Sequence, residues 1–149
     1  MSSLQYRRDT ATTDDVRAHL TRCDADFTPP LSARLDLGDY AAKLAERAAR
    51  FEAWDGGELV GLVAAYLTPG APEAFISNVS VVSELRGRGV AAALVADCID
   101  RARGSGAATL KLEVATADRA AGQFYEKLGF TVSDPETADR PTTTLTLDL

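Results

Sequence analysis

Val79-Ser80-Val81-Val82-Ser83-Glu84-Leu85-Arg86-Gly87-Arg88-Gly89-Val90-Ala91-Ala92-Ala93-Leu94 decides the reading of this chain. The β-branched residues Val79, Val81 and Val82 favour extended backbone. After the glycines, apolar residues at Val90, Ala93, Leu94, Cys98 and Ala102 recur at helical spacing. The stretch therefore predicts a strand, a short loop and a helix over residues 90–103 that starts without a side-chain cap. Gly87 and Gly89 let the loop turn tightly and come close to a ligand. Successive N–H groups of such a loop can point into one concavity, with the positive end of the helix dipole behind them. That combination is a seat for a phosphate, and it needs no acidic or metal ligand of its own.

Other glycine-loop chemistries fit these residues less well. A Walker loop carries Lys and then Ser or Thr after its last glycine, whereas Val90 follows Gly89. A dinucleotide fingerprint needs a third glycine where Ala92 stands, and an acidic residue closing a second strand. Arg-Gly-Arg-Gly also occurs in RNA-binding tails, but here it lies between a strand and a helix, outside any low-complexity tract. A plain glycine turn before a helix remains open on these residues alone.

The chain of 149 residues suits one domain, 1–149, with a substantial core. Its apolar share of 46% and charged share of 26% are those of an ordinary globule. The formal net charge of −6 argues against nucleic-acid or anionic-membrane partners and is compatible with a cationic substrate. Cys23 and Cys98 fall in predicted helices beside apolar neighbours, so they read as small buried hydrophobes and not as a disulfide or metal pair. His19 has no Cys or His at ligand spacing, so no zinc site is expected. No apolar run reaches membrane-span length. Met1-Ser2-Ser3-Leu4 lacks a signal-peptide pattern, and the cytoplasm is the expected compartment.

Strands are expected at residues 4–8, 51–54, 59–67, 74–82, 109–114, 130–133 and 142–147, and helices at 14–23, 38–50, 90–103 and 117–128. Thr12 or Thr13 can cap the first helix, with Asp14 and Asp15 well placed for its dipole. Phe27-Thr28-Pro29-Pro30 breaks the chain after it. Asp55-Gly56-Gly57 makes a hairpin, and Gly129 closes the last helix. Residues 134–141 form a polar loop. The strand–helix–strand unit from Val79 to Val114 predicts a right-handed parallel crossover, with antiparallel hairpins on either side. The fold class is therefore α/β, with a mixed sheet and helices on both faces.

Two segments then agree with one family. Arg86-Gly87-Arg88-Gly89-Val90-Ala91 matches the Arg/Gln-x-x-Gly-x-Gly/Ala signature of the GNAT superfamily of acyl-CoA N-acyltransferases at Arg86, Gly89 and Ala91. Ala121-Gly122-Gln123-Phe124-Tyr125-Glu126-Lys127-Leu128-Gly129-Phe130 resembles that family's second signature. One predicted strand separates the two, as in the family. The hairpin from Asp55 to Gly61 is similar to the family's second and third strands. The resemblance spans nearly the whole chain, strongest from Ala74 to Phe130 and weak before Phe51.

The resemblance implies a sheet of about seven strands with the fourth and fifth splayed apart, which leaves backbone groups for a ligand. It implies acetyl-CoA as acyl donor. The N–H groups of Arg86, Gly87, Arg88, Gly89, Val90 and Ala91 would hold its pyrophosphate. Val79, Val81, Ala121 and Phe124 complete the implied cofactor set, although Phe124 also reads as plain core. Asp118 stands where many members carry asparagine on the pantetheine. Aspartate keeps the acceptor but loses the amide donor, and it equally suits a helix cap. Tyr125 matches the family tyrosine proposed to protonate the leaving thiolate, against the alternative of a tyrosine packed on the sheet. For removal of the amine proton, Glu73 early in the fourth strand, Glu113 on the fifth and bulk water stand side by side. Asn78 would align substrate or water, or satisfy the splayed backbone.

Residues 24–40 cover the acceptor side in the family and contain Asp24, Asp26, Arg34, Asp36, Asp39 and Tyr40. The implied activity is transfer of an acetyl group to a primary amine, on a small molecule or a peptide, by direct attack in a ternary complex. Neither cysteine sits in a nucleophile motif, and no metal is expected. A homodimer stays open, since many relatives dimerise. The rival reading is a non-catalytic acyl-CoA sensor acting through a protein partner.

Overall fold

The computed structural model describes residues 3–27, 29–133 and 140–149. The expectations for Met1, Ser2, Thr28 and residues 134–139 of the polar loop lie outside the described residues. In chain order the elements are β1 (Gln5–Arg8), α1 (Thr13–Cys23), α2 (Leu37–Arg47), β2 (Ala49–Asp55), β3 (Glu58–Tyr66), β4 (Glu73–Val81), α3 (Val90–Gly104), β5 (Thr109–Ala115), α4 (Arg119–Lys127), β6 (Thr131–Val132) and β7 (Thr142–Asp148). Short 3-10 turns occupy Asp24–Asp26, Leu31–Ala33 and Ser83–Leu85.

The strands form one seven-stranded sheet in the order β1-β2-β3-β4-β5-β7-β6. Only β4 and β5 run parallel; every other neighbouring pair is antiparallel. Apolar side chains alternate to the two faces, as a half-buried strand requires. On one face Leu59, Leu62 and Ala64 pack with Val16 and Leu20 of α1 and Ala41 and Leu44 of α2. On the other, Phe51, Val63, Ile76, Val81, Leu110 and Leu112 pack with Leu94, Val95 and Cys98 of α3 and Tyr125 of α4. The expected mixed sheet with helices on both faces is therefore present. Among the described residues no helix is long and apolar enough to cross a membrane.

Local chemistry sets the element ends. Thr12 caps α1 through a capping box with Asp15. The second helix stops at Arg47, three residues before the expected end. Ala48 turns extended, with φ −95° and ψ 146°. Arg50 belongs to β2, and its guanidinium returns to donate to the carbonyls of Leu44, Ala45 and Ala48 at 3.3, 2.7 and 3.0 Å. The Ala45 carbonyl is one that the end of the helix leaves without a backbone donor, while that of Leu44 also accepts the Ala48 N–H at 3.1 Å. The last helix starts at Arg119, because Asp118 is its N-cap and accepts the Ala121 N–H at 3.1 Å.

One glycine brings α3 onto the sheet. A Cβ at Gly61 would lie 3.1 Å from Val90 Cγ1 and 3.2 Å from Leu94 Cδ1. Its absence lets the first turn of α3 sit directly against β3, which fixes the loop that precedes the helix.

Candidate active site

β4 and β5 pair only at Glu73–Thr109, Ala74–Leu110 and Phe75–Lys111. Beyond that, β4 stays bonded to β3 as far as Val81 and β5 to β7 as far as Ala115. The facing edges of residues 76–81 and 112–115 therefore share no ladder, and the sheet is split between them. This is the splay that the resemblance implied. A β-bulge stands at its start. Ala64 pairs with Asn78 and Ala65 with Ile76, so Ser77 is the extra residue of β4. After the bulge, Val79 and Val81 belong to the cluster shared with α3 and α4.

The strand leads out of the split into the glycine loop. Gly87 and Gly89 have φ of 77° and 78°, and Gly89 is the uncapped N-terminal flank of α3. The first helical bond runs from the Ala93 N–H to the Gly89 carbonyl at 3.0 Å. None of the N–H groups from Gly87 to Ala92 donates to a described protein group. A Cβ on either glycine would meet nothing within 4 Å. Six successive donors thus stand without a described protein acceptor at the positive end of a fifteen-residue helix. The arginines contribute differently. The Arg86 guanidinium is 2.7 Å from the Asp26 carboxylate, and Arg88 is exposed.

Tyr125 lies on the α4 side of the split. Only 7% of it is exposed, and it belongs to the same core cluster as Val81, Leu112 and Leu145. Its ring is held edge-on by Phe124 at 5.0 Å and Phe130 at 5.7 Å between centroids. Among the described residues no group bonds its hydroxyl. Burial, and secondarily the charge of Asp118, push the phenol far above its ordinary range, so it keeps its proton at neutral pH. Asp118 and Ala121 are joined to each other by the helix cap, which is the local role expected as the alternative for Asp118. Phe124 is partly buried against the same core.

The polar candidates separate. Glu73 sits at the closed end of the split with Lys111 Nζ 2.8 Å from its carboxylate. Asn78 is 4% exposed and donates to the Leu62 carbonyl at 3.3 Å and to Ser80 Oγ at 2.9 Å. Ser80 in turn meets His19 of α1 at 2.8 Å. Asn78 is thus bound into the α1-facing side of β3 and β4, across the sheet from Tyr125. Glu113 lies on the open stretch of β5, exposed and in no described ion pair. Cys23 and Cys98 are buried and free. Burial pushes their thiols up to about 11 and about 12, so neither forms a thiolate readily.

Of the charges between residues 24 and 40, Asp24 and Asp36 hold structure. Asp24 accepts from the Ser32 N–H at 2.8 Å and binds its hydroxyl at 2.5 Å, and Asp36 caps α2 through the Asp39 N–H at 2.9 Å. Tyr40 reaches the bulge, with its hydroxyl 3.0 Å from the Ser77 carbonyl and 2.5 Å from Ser77 Oγ. Sequence reasoning did not connect Tyr40 to Ser77, nor His19 to Ser80. The one available signal was the polar run Ser77-Asn78 and Ser80 inside an otherwise apolar strand.

The chain matches the family model for the acetyltransferase (GNAT) family over residues 13–130. No curated protein matches it significantly. Among solved structures it is similar to the ribosomal-protein-S18-alanine N-acetyltransferase from Escherichia coli, with 25% identity, TM-score 0.73 and coverage of 99% of this chain and 94% of the other. A Bacillus subtilis acetyltransferase in complex with CoA gives 23% identity and TM-score 0.74, with 99% of each chain covered. A GNAT family acetyltransferase from Elizabethkingia anophelis with acetyl-CoA bound gives 15% identity and TM-score 0.69, with 98% of each covered. With a split parallel strand pair, an open glycine loop and a family match across most of its length, this chain belongs to the GNAT acetyltransferase family.

Proposed function

We propose that this protein is an N-acetyltransferase that moves the acetyl group of acetyl-CoA to a primary amine by direct attack in a ternary complex. The observation that carries the reading is the run of six unsatisfied N–H groups, Gly87 to Ala92, at the mouth of a split sheet. Family membership supplies the class of reaction.

The residues fit the cofactor. The loop N–H groups suit the diphosphate, since close approach is unobstructed by any Cβ. Backbone groups of Val79 and Val81 face the split and suit the amides of a pantetheine arm. Acetyl-CoA, when bound, supplies an acetyl group activated as a thioester. Tyr125 Oη holds the proton that the departing sulfur requires. Burial keeps that proton in place, and the rings of Phe124 and Phe130 fix the direction in which it points. The rigid framework around it lowers the entropy cost of the encounter.

The attacking ammonium must first lose a proton. Glu113 is better suited to accept it than Glu73, which Lys111 neutralises, or Asn78, whose amide is committed to Leu62 and Ser80. Bulk water at the open face serves the same purpose.

The test is thermal denaturation with and without acetyl-CoA, followed by thiol release in the presence of spermidine, tyramine, alanine amide and lysine. The expected result is stabilisation by acetyl-CoA, amine-dependent thiol release, and a product with one added acetyl group by mass spectrometry. Stabilisation with no turnover on any amine would favour the sensor instead. No stabilisation at all would remove both.

A further inference from the structure

We propose that Tyr40 is a positioning residue, which pins the β-bulge at Ser77 and thereby sets the register of the strand edge facing the split. Ser77 is the residue of β4 without a ladder partner. Its neighbours Ile76 and Asn78 pair with Ala65 and Ala64 of β3, and pairing with β5 has ended at Phe75. A backbone carbonyl at such a place needs a donor from elsewhere. Tyr40 of α2 supplies it, at 3.0 Å to the carbonyl, and also bonds the Ser77 hydroxyl at 2.5 Å. The phenol is part-buried, and burial raises its pKa, so it remains a donor at neutral pH.

The consequence lies downstream along β4. The extra residue changes the alternation of the strand, because a shift of one residue exchanges the faces. With the bulge in place, Asn78 and Ser80 face Leu62 and His19, while Val79 and Val81 face the α3 and α4 side. If the bulge relaxed, those valines would turn away from the split, and the backbone groups between them would turn with them. The acceptor-side helix α2 thus holds the cofactor-side strand through one side chain. The kinetic part of this proposal rests on the acetyltransferase reading; the register part rests on the bulge alone.

The test is Tyr40→Phe, which keeps the ring and removes only the hydroxyl. In the protein without ligand, amide hydrogen exchange across residues 76–81 should rise about tenfold, with β1 and β2 unchanged. With acetyl-CoA and the amine probes spermidine and alanine amide, kcat should fall about tenfold and the acetyl-CoA Kd should rise about threefold, because the loosened edge carries the Val79 and Val81 backbone groups. Ser77→Ala keeps the carbonyl bond, so its loss should be smaller, and it should add little on top of Tyr40→Phe. Unchanged exchange at 76–81, or a rise spread evenly over the sheet, would overturn the proposal. If the unaltered protein binds no acetyl-CoA, the acetyltransferase reading fails, and the exchange comparison still decides the role of Tyr40.

Discussion

His19 Nε2 accepts the Ser80 hydroxyl at 2.8 Å. The direction is settled by the other ring nitrogen, since Nδ1 lies 3.0 Å from the Leu59 carbonyl, which can only accept. Ser80 Oγ then accepts from Asn78 Nδ2 at 2.9 Å, and a neutral imidazole joins α1 to β3 and β4. Burial pushes the His19 pKa down from 6.5 to about 4. Above pH 6.5 neither the folded nor the unfolded chain holds the proton. Between about 6.5 and 4 the unfolded chain takes it up and the folded one does not, so stability falls as pH falls, by up to about 3 kcal/mol. His19 is the only histidine in the chain, so this window reports on it with little interference. Urea unfolding from pH 7 to 4.5 should show the decline, and His19→Leu should abolish the slope. An equal slope in both proteins would refute the assignment.

Gly89 separates folding from ligand binding. Its φ of 78° disfavours any side chain, yet a Cβ there would touch no protein atom. Gly89→Val should therefore cost about 1–2 kcal/mol of stability from backbone strain. Its side chain would stand in the space in front of the loop donors, so acetyl-CoA affinity should fall by about thirtyfold or more, read by calorimetric titration of the folded variant. Retained affinity would contradict the loop assignment.

Local signals were legible in the sequence and distant ones were not. The strand, glycine loop and helix from Val79 to Leu94 stand where the apolar pattern put them, because period and glycine placement act over a few residues. Asp118 at the head of α4 is equally local. The apolar stripe of α2 runs on to Ala48, past the end of the helix at Arg47, and the Arg50 side chain that binds the end of the helix acts only once the chain has folded back. The bulge at Ser77 could not be read, since one unpaired residue leaves no periodic trace. Whether Asn78 and Glu73 are free depends on Ser80, Leu62 and Lys111, and strand register alone brings those partners together.

Tyr125→Phe should lower turnover about a hundredfold, within the range for loss of a general acid. Its hydroxyl bonds no described group, so the fold loses little with it. The ring contacts with Phe124 and Phe130 survive the change. Acetyl-CoA affinity and melting temperature should both stay near those of the unaltered protein. Unchanged turnover would remove Tyr125 from the mechanism.

Asp26 is a carboxylate held beside the glycine loop by its contact with Arg86 at 2.7 Å. Both side chains remain partly exposed, at 33% and 53%, so the pair contributes little to stability. On the proposed acetyl-CoA reading its influence on an incoming diphosphate is larger, because a negative charge beside the loop repels the ligand and occupies the nearest guanidinium. Asp26→Asn keeps the size of the side chain and removes that charge. It should tighten acetyl-CoA binding about two- to fivefold in dilute buffer, with the gain shrinking as salt rises past about 0.5 M and the screening length shortens. The melting temperature without ligand should not change. Titrations at low and high salt decide the point: equal affinities at both would mean that Asp26 does not sense the ligand, and weaker binding would mean that the ion pair holds the loop in its binding shape.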